Sequence, residues 1–323
     1  MEQLHLDFDP YANEPGHWGA SLLNDAELLI ACLEAVEAKS VVEVGAYAGD
    51  LTGLLLQWAA GAGARVWAVD PAPQKELVAL DEARDDLELI RETSHAALRG
   101  IALPDAVIID GDHNYHTVSE ELRIIGERAA GATLPLLLFH DVCWPHGRRD
   151  DYFAPELIAP EHRHPMAEGG GLFPGVPGVR ADGLPYRWPA AREGGPRNGV
   201  LTAVEDFVNL RGGLRLAVVP AFFGFGAVWE VDAPWAARLA AVIDPWDRNP
   251  VLERLEANRI RHLATAWEAR QRVARQEAVL RRLLASRAFS VAERLSRLRR
   301  RAGVATDISV VSKDDIRRAL GES

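Results

Sequence analysis

Residues Ser40 to Thr52, SVVEVGAYAGDLT, constrain this chain more than any other stretch. A β-branched run leads into two glycines spaced G-x-x-x-G and then into Leu51, Leu54, Leu55 and Leu56, which predicts a buried parallel strand, a tight loop and a helix start. Such a loop is an entrance for a nucleotide-like ligand. Gly45 and Gly49 let backbone approach where a Cβ would collide, and the following helix offers free N–H groups to a carboxylate or phosphate. Dinucleotide sites use G-x-G-x-x-G, which this stretch lacks, and that points away from NAD and FAD. Glu43 is out of keeping with its strand. A carboxylate among apolar residues is costly unless something pairs with it, and a cationic ligand would be such a partner. Taken alone, the same residues also allow a glycine loop with a purely structural role.

The run from Glu43 to Thr52, E-V-G-x-x-x-G-x-x-T, resembles the first motif of class I S-adenosylmethionine-dependent methyltransferases. The next strand, Arg65 to Val69, ends at Asp70-Pro71. Asp70 stands 21 residues beyond Gly49 at a strand end, where an acidic group can accept both ribose hydroxyls; an Asp-Pro turn is the plainer alternative. A third strand, Leu87 to Ile90, precedes Ser94, read as the cap of a short helix, and His95, a candidate to lie against the adenine. The cofactor contacts that the resemblance implies are Glu43, Gly45, Tyr47, Gly49, Thr52, Asp70, Ser94, His95 and Asp110.

A fourth strand, Ala106 to Ile109, runs into Asp110-Gly111-Asp112-His113, followed by a helix expected from about Thr117 to Ala130. The fifth, Leu134 to Phe139, runs into His140-Asp141. Neighbouring strands lie about 4.8 Å apart, so Asp110, His140 and Asp141 can converge on one divalent ion. Carboxylates suit Mg²⁺, Mn²⁺ or Ca²⁺, and a histidine among them turns the choice towards Mn²⁺, Fe²⁺ or Zn²⁺. The stretch I-D-G-D-H-x-Y followed by H-D is similar to one methyltransferase branch, that of the macrolide-sugar O-methyltransferases and the cephalosporin hydroxylase-like proteins. The resemblance covers roughly residues 40–141, more loosely up to 232. It implies Asp110 and Asp141 as metal ligands and His113 as general base; with His140 read from its place beside them as a third ligand or the alternate base, the catalytic set is His113, Asp110 and His140 and the metal set Asp110, His140 and Asp141, for Mg²⁺ or Mn²⁺. His140 stands where that branch has an acidic residue, so neither Mg²⁺ nor metal dependence carries over unchanged.

Residues 142–199 hold nine of the nineteen prolines and ten of the glycines, too many for regular helices or central strands. A long irregular segment directly after Asp141 is expected to be a substrate lid, with His162, His164, Tyr186, Arg187 and Trp188 to meet a sugar or an aromatic ring. The expected fold is α/β, a Rossmann-like seven-stranded methyltransferase sheet in residues 1–233 with this lid inserted, then a helical, Arg-rich extension over 234–323. Asn24 is expected to cap the first helix, and His17 and Trp18 to line a lip. Ser290 to Glu293 matches a capping box, and Ser312 opens a last short helix.

Net charge is −11, but residues 252–303 carry 14 Arg against 5 Glu and residues 304–323 carry −1, which leaves residues 1–251 at −19. An acidic body argues against nucleic acid as a partner. The basic tail suits a homo-oligomer, with peripheral contact to an anionic membrane as the alternative. With no run of 18 apolar residues and no secretory h-region, and with Cys32 and Cys143 forming no framework, a cytoplasmic protein is expected. The function expected is O-methylation by S-adenosylmethionine of a hydroxyl on a sugar, in a natural product or glycan. The rivals are a hydroxylase-like or N- or C-methylating enzyme on the same fold, and a non-catalytic scaffold.

Overall fold

The computed structural model describes residues 22–302 and 311–321, so His17 and Trp18 lie outside the described residues. The chain divides into two compact units, residues 1–263 and 264–323. The first is built on a seven-stranded sheet. Its strands are β1 (Ser40–Val44), β2 (Arg65–Val69), β3 (Leu87–Ile90), β4 (Ala106–Ile109), β5 (Leu136–Phe139), β8 (Leu214–Val219) and β9 (Phe225–Glu230), in the order β3-β2-β1-β4-β5-β9-β8. The first five run parallel, while β9 is antiparallel to both β5 and β8. This is the class I methyltransferase topology, with the order reversing between β1 and β4. Ligands of open α/β sheets bind at that reversal, outside the carboxyl ends of the strands.

The strands read as unbroken apolar runs because both faces are covered. Val41, Ala68, Ile108 and Leu138 pack on one side with α1 (Ala26–Ala35), α2 (Asp50–Ala62) and α7 (Ala236–Ile243). Val42, Val107, Ile109 and Leu137 pack on the other with α4 (Ser94–Gly100), α5 (Tyr115–Arg128) and α6 (Val200–Arg211). A nine-residue helix, α3 (Lys75–Ala83), follows β2.

Several boundaries differ from those expected. Leu22–Asp25 form a 3₁₀ turn, so Asp25 rather than Asn24 precedes α1. The helix expected from Thr117 begins at Tyr115, because the Asn114 side chain accepts a hydrogen bond from Thr117 N and caps it two residues earlier. β5 starts at Leu136, after Pro135, which has no N–H to give a ladder. The insertion holds a small hairpin, β6 (Gly171–Phe173) with β7 (Val176–Arg180), and three 3₁₀ turns.

The long helix α8 (Pro250–Ala285) crosses from the first unit into the second, which also holds α9 (Arg287–Arg301) and α10 (Lys313–Ala319). α9 does not start at Ser290. The chain breaks a turn earlier, where Ser286 Oγ accepts from Phe289 N; Ser290 N donates back to the Ser286 carbonyl, and Glu293 pairs with Arg297 at 2.6 Å. α10 does open at Ser312, with a reciprocal Ser312–Asp315 capping box. No helix among the described residues is long and apolar enough to cross a membrane.

Candidate active site

The glycine loop sits at the carboxyl end of β1. Gly45 has φ 88°, and a Cβ there would collide with the carbonyl oxygen of Asp110. The close approach is therefore between two strand ends, a reason for glycine that needs no ligand. Tyr47, at φ 45° and 60% exposed, donates its N–H to Asp70 Oδ2 at 2.8 Å, while Ala72 N donates to Asp70 Oδ1 at 2.7 Å. Asp70 thus ties the loop to the end of β2 and closes its own turn at Pro71. Glu43 shares the Val41 face of β1, where α2 places Thr52. The Thr52 hydroxyl donates to Glu43 Oε2 at 2.6 Å, both side chains being buried. Burial pushes the Glu43 carboxyl up to about 8 despite that bond. Its partner within the chain is the Thr52 hydroxyl.

Ser94 is the first residue of α4, behind Thr93 at the cap position. His95 Nε2 lies 3.0 Å from the Thr117 carbonyl oxygen, which turns its ring onto the first turn of α5.

The ends of β4 and β5 bring Asp110, His113, His140 and Asp141 together. His113 Nε2 is 3.1 Å from Asp141 Oδ2 and 3.6 Å from Asp110 Oδ1. His140 Nδ1 is 3.2 Å from Asp110 Oδ1 and 3.3 Å from Asp141 Oδ2, and its Nε2 donates to the Phe222 carbonyl at 2.9 Å. One ligand atom each from Asp110, His140 and Asp141 falls within 4.8 Å of the others. Asp141 holds this place with φ 58°, a conformation that costs a residue with a Cβ and recurs at functional sites.

Burial alone would lower the histidine pKa values, but the two carboxylates override it. His113 is raised to about 9 by Asp141 and Asp110, and His140 well above its ordinary value by the same pair. Burial would likewise raise Asp110 and Asp141, and the imidazoles hold both below the usual carboxylate range. The four groups form a nearly charge-balanced cluster of two acids and two bases.

Three contributors have no individual role in the sequence reading, in which Asp150 counts only as part of the polar run Arg148 to Phe153 of the insertion. His146, 4% exposed, stacks on His113 with ring centroids 4.7 Å apart, and burial lowers its pKa to about 3. Its signal was a histidine five residues beyond the strand-end aspartate, hidden in a Pro/Gly-rich run. Asp150 and Asn198 are the others. Asp150 Oδ1 accepts from Tyr115 N and Gly199 N, Asp150 Oδ2 accepts from Tyr152 OH, and Asn198 Oδ1 accepts from Asp150 N. This buried knot pins the insertion to α5 and to the start of α6, and Asp151 N donates to the His113 carbonyl at 3.0 Å. Of the expected lid residues, the Tyr186 ring meets His146 edge-on at 5.1 Å, whereas Trp188 is exposed.

Residues 42–142 match the model of a family described as a methyltransferase domain. Among solved structures, the chain is similar to the SAH-bound methyltransferase PaMTH1 of Podospora anserina at 17% identity, covering 68% of this chain and 83% of that one with a TM-score of 0.43. A methyltransferase from Geobacter sulfurreducens is 13% identical over 64% of this chain and 78% of that one, TM-score 0.35. The mitomycin 7-O-methyltransferase MmcR is 21% identical over 41% and 40%, TM-score 0.31. No curated protein matches the chain. The family match thus covers residues 42–142, and the sheet order described above is that of the Rossmann-like methyltransferase fold.

Proposed function

We propose that this chain is an S-adenosylmethionine-dependent O-methyltransferase that methylates a sugar hydroxyl, in a natural product or glycan, with His113 as general base. The observation that carries the reading is the meeting of His113 Nε2 with Asp141 and Asp110, at 3.1 and 3.6 Å, beside the Gly45 loop at the reversal of the sheet. The loop residues fit the donor: Tyr47 leaves the loop exposed towards solvent, and the Asp70 carboxylate stands at the end of the adjacent strand, where ribose hydroxyls are bound in this architecture. S-adenosylmethionine supplies a methyl group on a sulfonium, whose S–CH₃ electron pair stays on sulfur as the acceptor oxygen forms the new C–O bond.

An alcohol is a poor nucleophile until its proton leaves, so the chain must align the hydroxyl and take that proton. His113 Nε2 is the receiving atom in this reading. Asp141 and Asp110 keep it protonated near neutral pH even with His140 beside them, so its basic form would need further positive charge on those carboxylates. Asp110, Asp141 and His140 Nδ1 fit that need, since their ligand atoms are close together and the Phe222 carbonyl holds the His140 ring with Nδ1 facing the acids. A divalent cation held by these three would supply positive charge that lowers the pKa of a nearby hydroxyl. Residues 142–199 serve as the lid, pinned by Asp150 and Asn198, with Tyr186 closing over His146.

The test is incubation of the full chain with methyl-labelled S-adenosylmethionine and a panel of sugars, glycosylated natural products and phenols, with and without a chelator. Label on a sugar oxygen is the expected result; label only on phenols, nitrogen or carbon would replace the acceptor. Absence of calorimetric binding of the donor at millimolar concentration would sink the enzymatic reading altogether. The second unit is read as a contact for another copy of the chain: Leu295 and Leu298 are 55% and 60% exposed on a helix whose basic charge complements the acidic body. Light scattering at low and high salt checks this, with a dimer or larger assembly expected at low salt.

A further inference from the structure

On the lid side of Asp141, two imidazoles and one carboxylate meet in a way the proposed reaction does not use. His113 and His146 stack with their planes at 26° and their centroids 4.7 Å apart. His113 Nε2 and His146 Nδ1 are both buried, and neither has a hydrogen-bond partner. His113 Nε2 lies 3.1 Å from Asp141 Oδ2 without the alignment a hydrogen bond requires. One ligand atom each from His113, Asp141 and His146 falls within 4.8 Å of the others.

The His146 ring is held where it is. Tyr186 packs edge-on against it at 5.1 Å, and the next residue, Gly147, is packed so closely that a Cβ would stand 2.5 Å from the Val142 carbonyl oxygen. Buried polar atoms in native structures are nearly always satisfied, so an orphaned His146 Nδ1, converging with a His113 Nε2 that meets Asp141 by charge but without an aligned hydrogen bond, marks a place where a ligand belongs.

We propose that His113, Asp141 and His146 form a second cation site, chemically different from the Asp110–His140–Asp141 group, that takes a borderline transition metal such as Zn²⁺ or Co²⁺ in preference to Mg²⁺. The donor set decides the preference. Two imidazoles and one carboxylate suit Zn²⁺ and Co²⁺, whereas Mg²⁺ wants oxygen ligands in a strict octahedron. Asp141 belongs to both groups, so the two cations compete for it. Occupation also takes the Nε2 lone pair of His113, which makes Zn²⁺ an inhibitor of methyl transfer. That consequence rests on the role proposed for His113; the binding itself does not.

The test begins with metal-free full-length protein titrated with Co²⁺, followed by visible absorption and calorimetry, and with X-ray absorption of the Zn²⁺-loaded protein. The expected result is one Zn²⁺ with two imidazole ligands. His146→Gln should weaken Zn²⁺ and Co²⁺ by about 10–100-fold or more, since a lost ligand costs no less than a lost outer-shell partner, and should leave Mg²⁺ affinity unchanged. Circular dichroism checks that the variant folds, and if it does not, the count of imidazoles in the unsubstituted protein decides alone. A count below two, or unchanged Zn²⁺ affinity in folded His146→Gln, overturns the proposal. Two imidazoles on Zn²⁺ in a protein that transfers no methyl group would uphold the site and remove the reaction instead.

Discussion

The carbonyl oxygen of Phe222 sets which face of His140 the two aspartates see. It lies 2.9 Å from His140 Nε2 and can only accept, so Nε2 carries a hydrogen and Nδ1 is turned to Asp110 and Asp141. That carbonyl belongs to a strained link. Phe222 and Phe223 adopt φ 49° and 71°, which costs bulky residues about 1–3 kcal/mol each. The link is held by Phe223 N donating to Glu256 at 2.8 Å, by Cys143 N donating to the Phe223 carbonyl at 2.7 Å, and by Arg259 4.5 Å above the Phe223 ring. A turn between the last two strands thereby positions a histidine at the end of the fifth.

His113→Ala should lower methyl transfer by about 10²–10⁴-fold, the usual contribution of a general base. Donor affinity should hardly change, because the residues read as donor contacts lie in the glycine loop and at the end of β2. Turnover on the acceptor found by the labelled-donor screen, with calorimetry for S-adenosylmethionine, checks both halves. Full turnover in the variant would take His113 out of the mechanism.

Gly45→Ala should destabilise the protein, and Gly61→Ala should not. At Gly45 the φ of 88° alone costs a residue with a Cβ about 1–3 kcal/mol, and the added atom meets the Asp110 carbonyl. Gly61 lies in α2 with nothing within 4 Å of an added Cβ, so alanine there should add about 0.4–1 kcal/mol of stability. Urea denaturation of the two variants measures the contrast. Equal effects would mean that the approach of β1 to Asp110 is not tight in solution.

The parallel core was legible because strands covered on both faces leave continuous apolar runs, and the strand-end aspartates stood out against them. What stayed hidden depends on contacts between segments far apart in the chain. Nothing in Pro220 to Gly224 announces that its backbone will orient His140, which is 82 residues away. His146 sits in a run whose prolines and glycines signal only irregularity, and its burial comes from packing against His113 and Tyr186. Ser290 failed as a helix start for the opposite reason: the motif was present, but the chain had broken a turn earlier, at Ser286.

Thr52→Val should cost about 1–3 kcal/mol, the penalty for leaving a buried polar group without its partner, because Glu43 loses the hydroxyl that donates to it at 2.6 Å. Thr52→Ser keeps the hydroxyl and should recover most of the loss. Denaturant midpoints of both variants test this. A Val variant as stable as the parent would show that Glu43 finds water or another partner.

Stability should fall as pH rises from about 5 to 9. Glu43 and Glu121, both pushed up to about 8 by burial, hold their protons more tightly folded than unfolded, where carboxyls titrate near 4.3. Their contribution is therefore complete below the unfolded value and is lost as pH climbs through the folded one, when a buried carboxylate must form. Asp110 and Asp141 act in the opposite sense: their lowered pKa values favour the fold above the unfolded value and lose that benefit in acid. Melting temperatures in chelator-treated buffer should thus peak on the acid side of neutrality. Glu43→Gln with Glu121→Gln should make the alkaline fall shallower, leaving the part that His113 and His140 lose as they deprotonate above their unfolded values, and should keep the acid limb in place; an unchanged alkaline slope in that double variant would assign the whole fall to other groups.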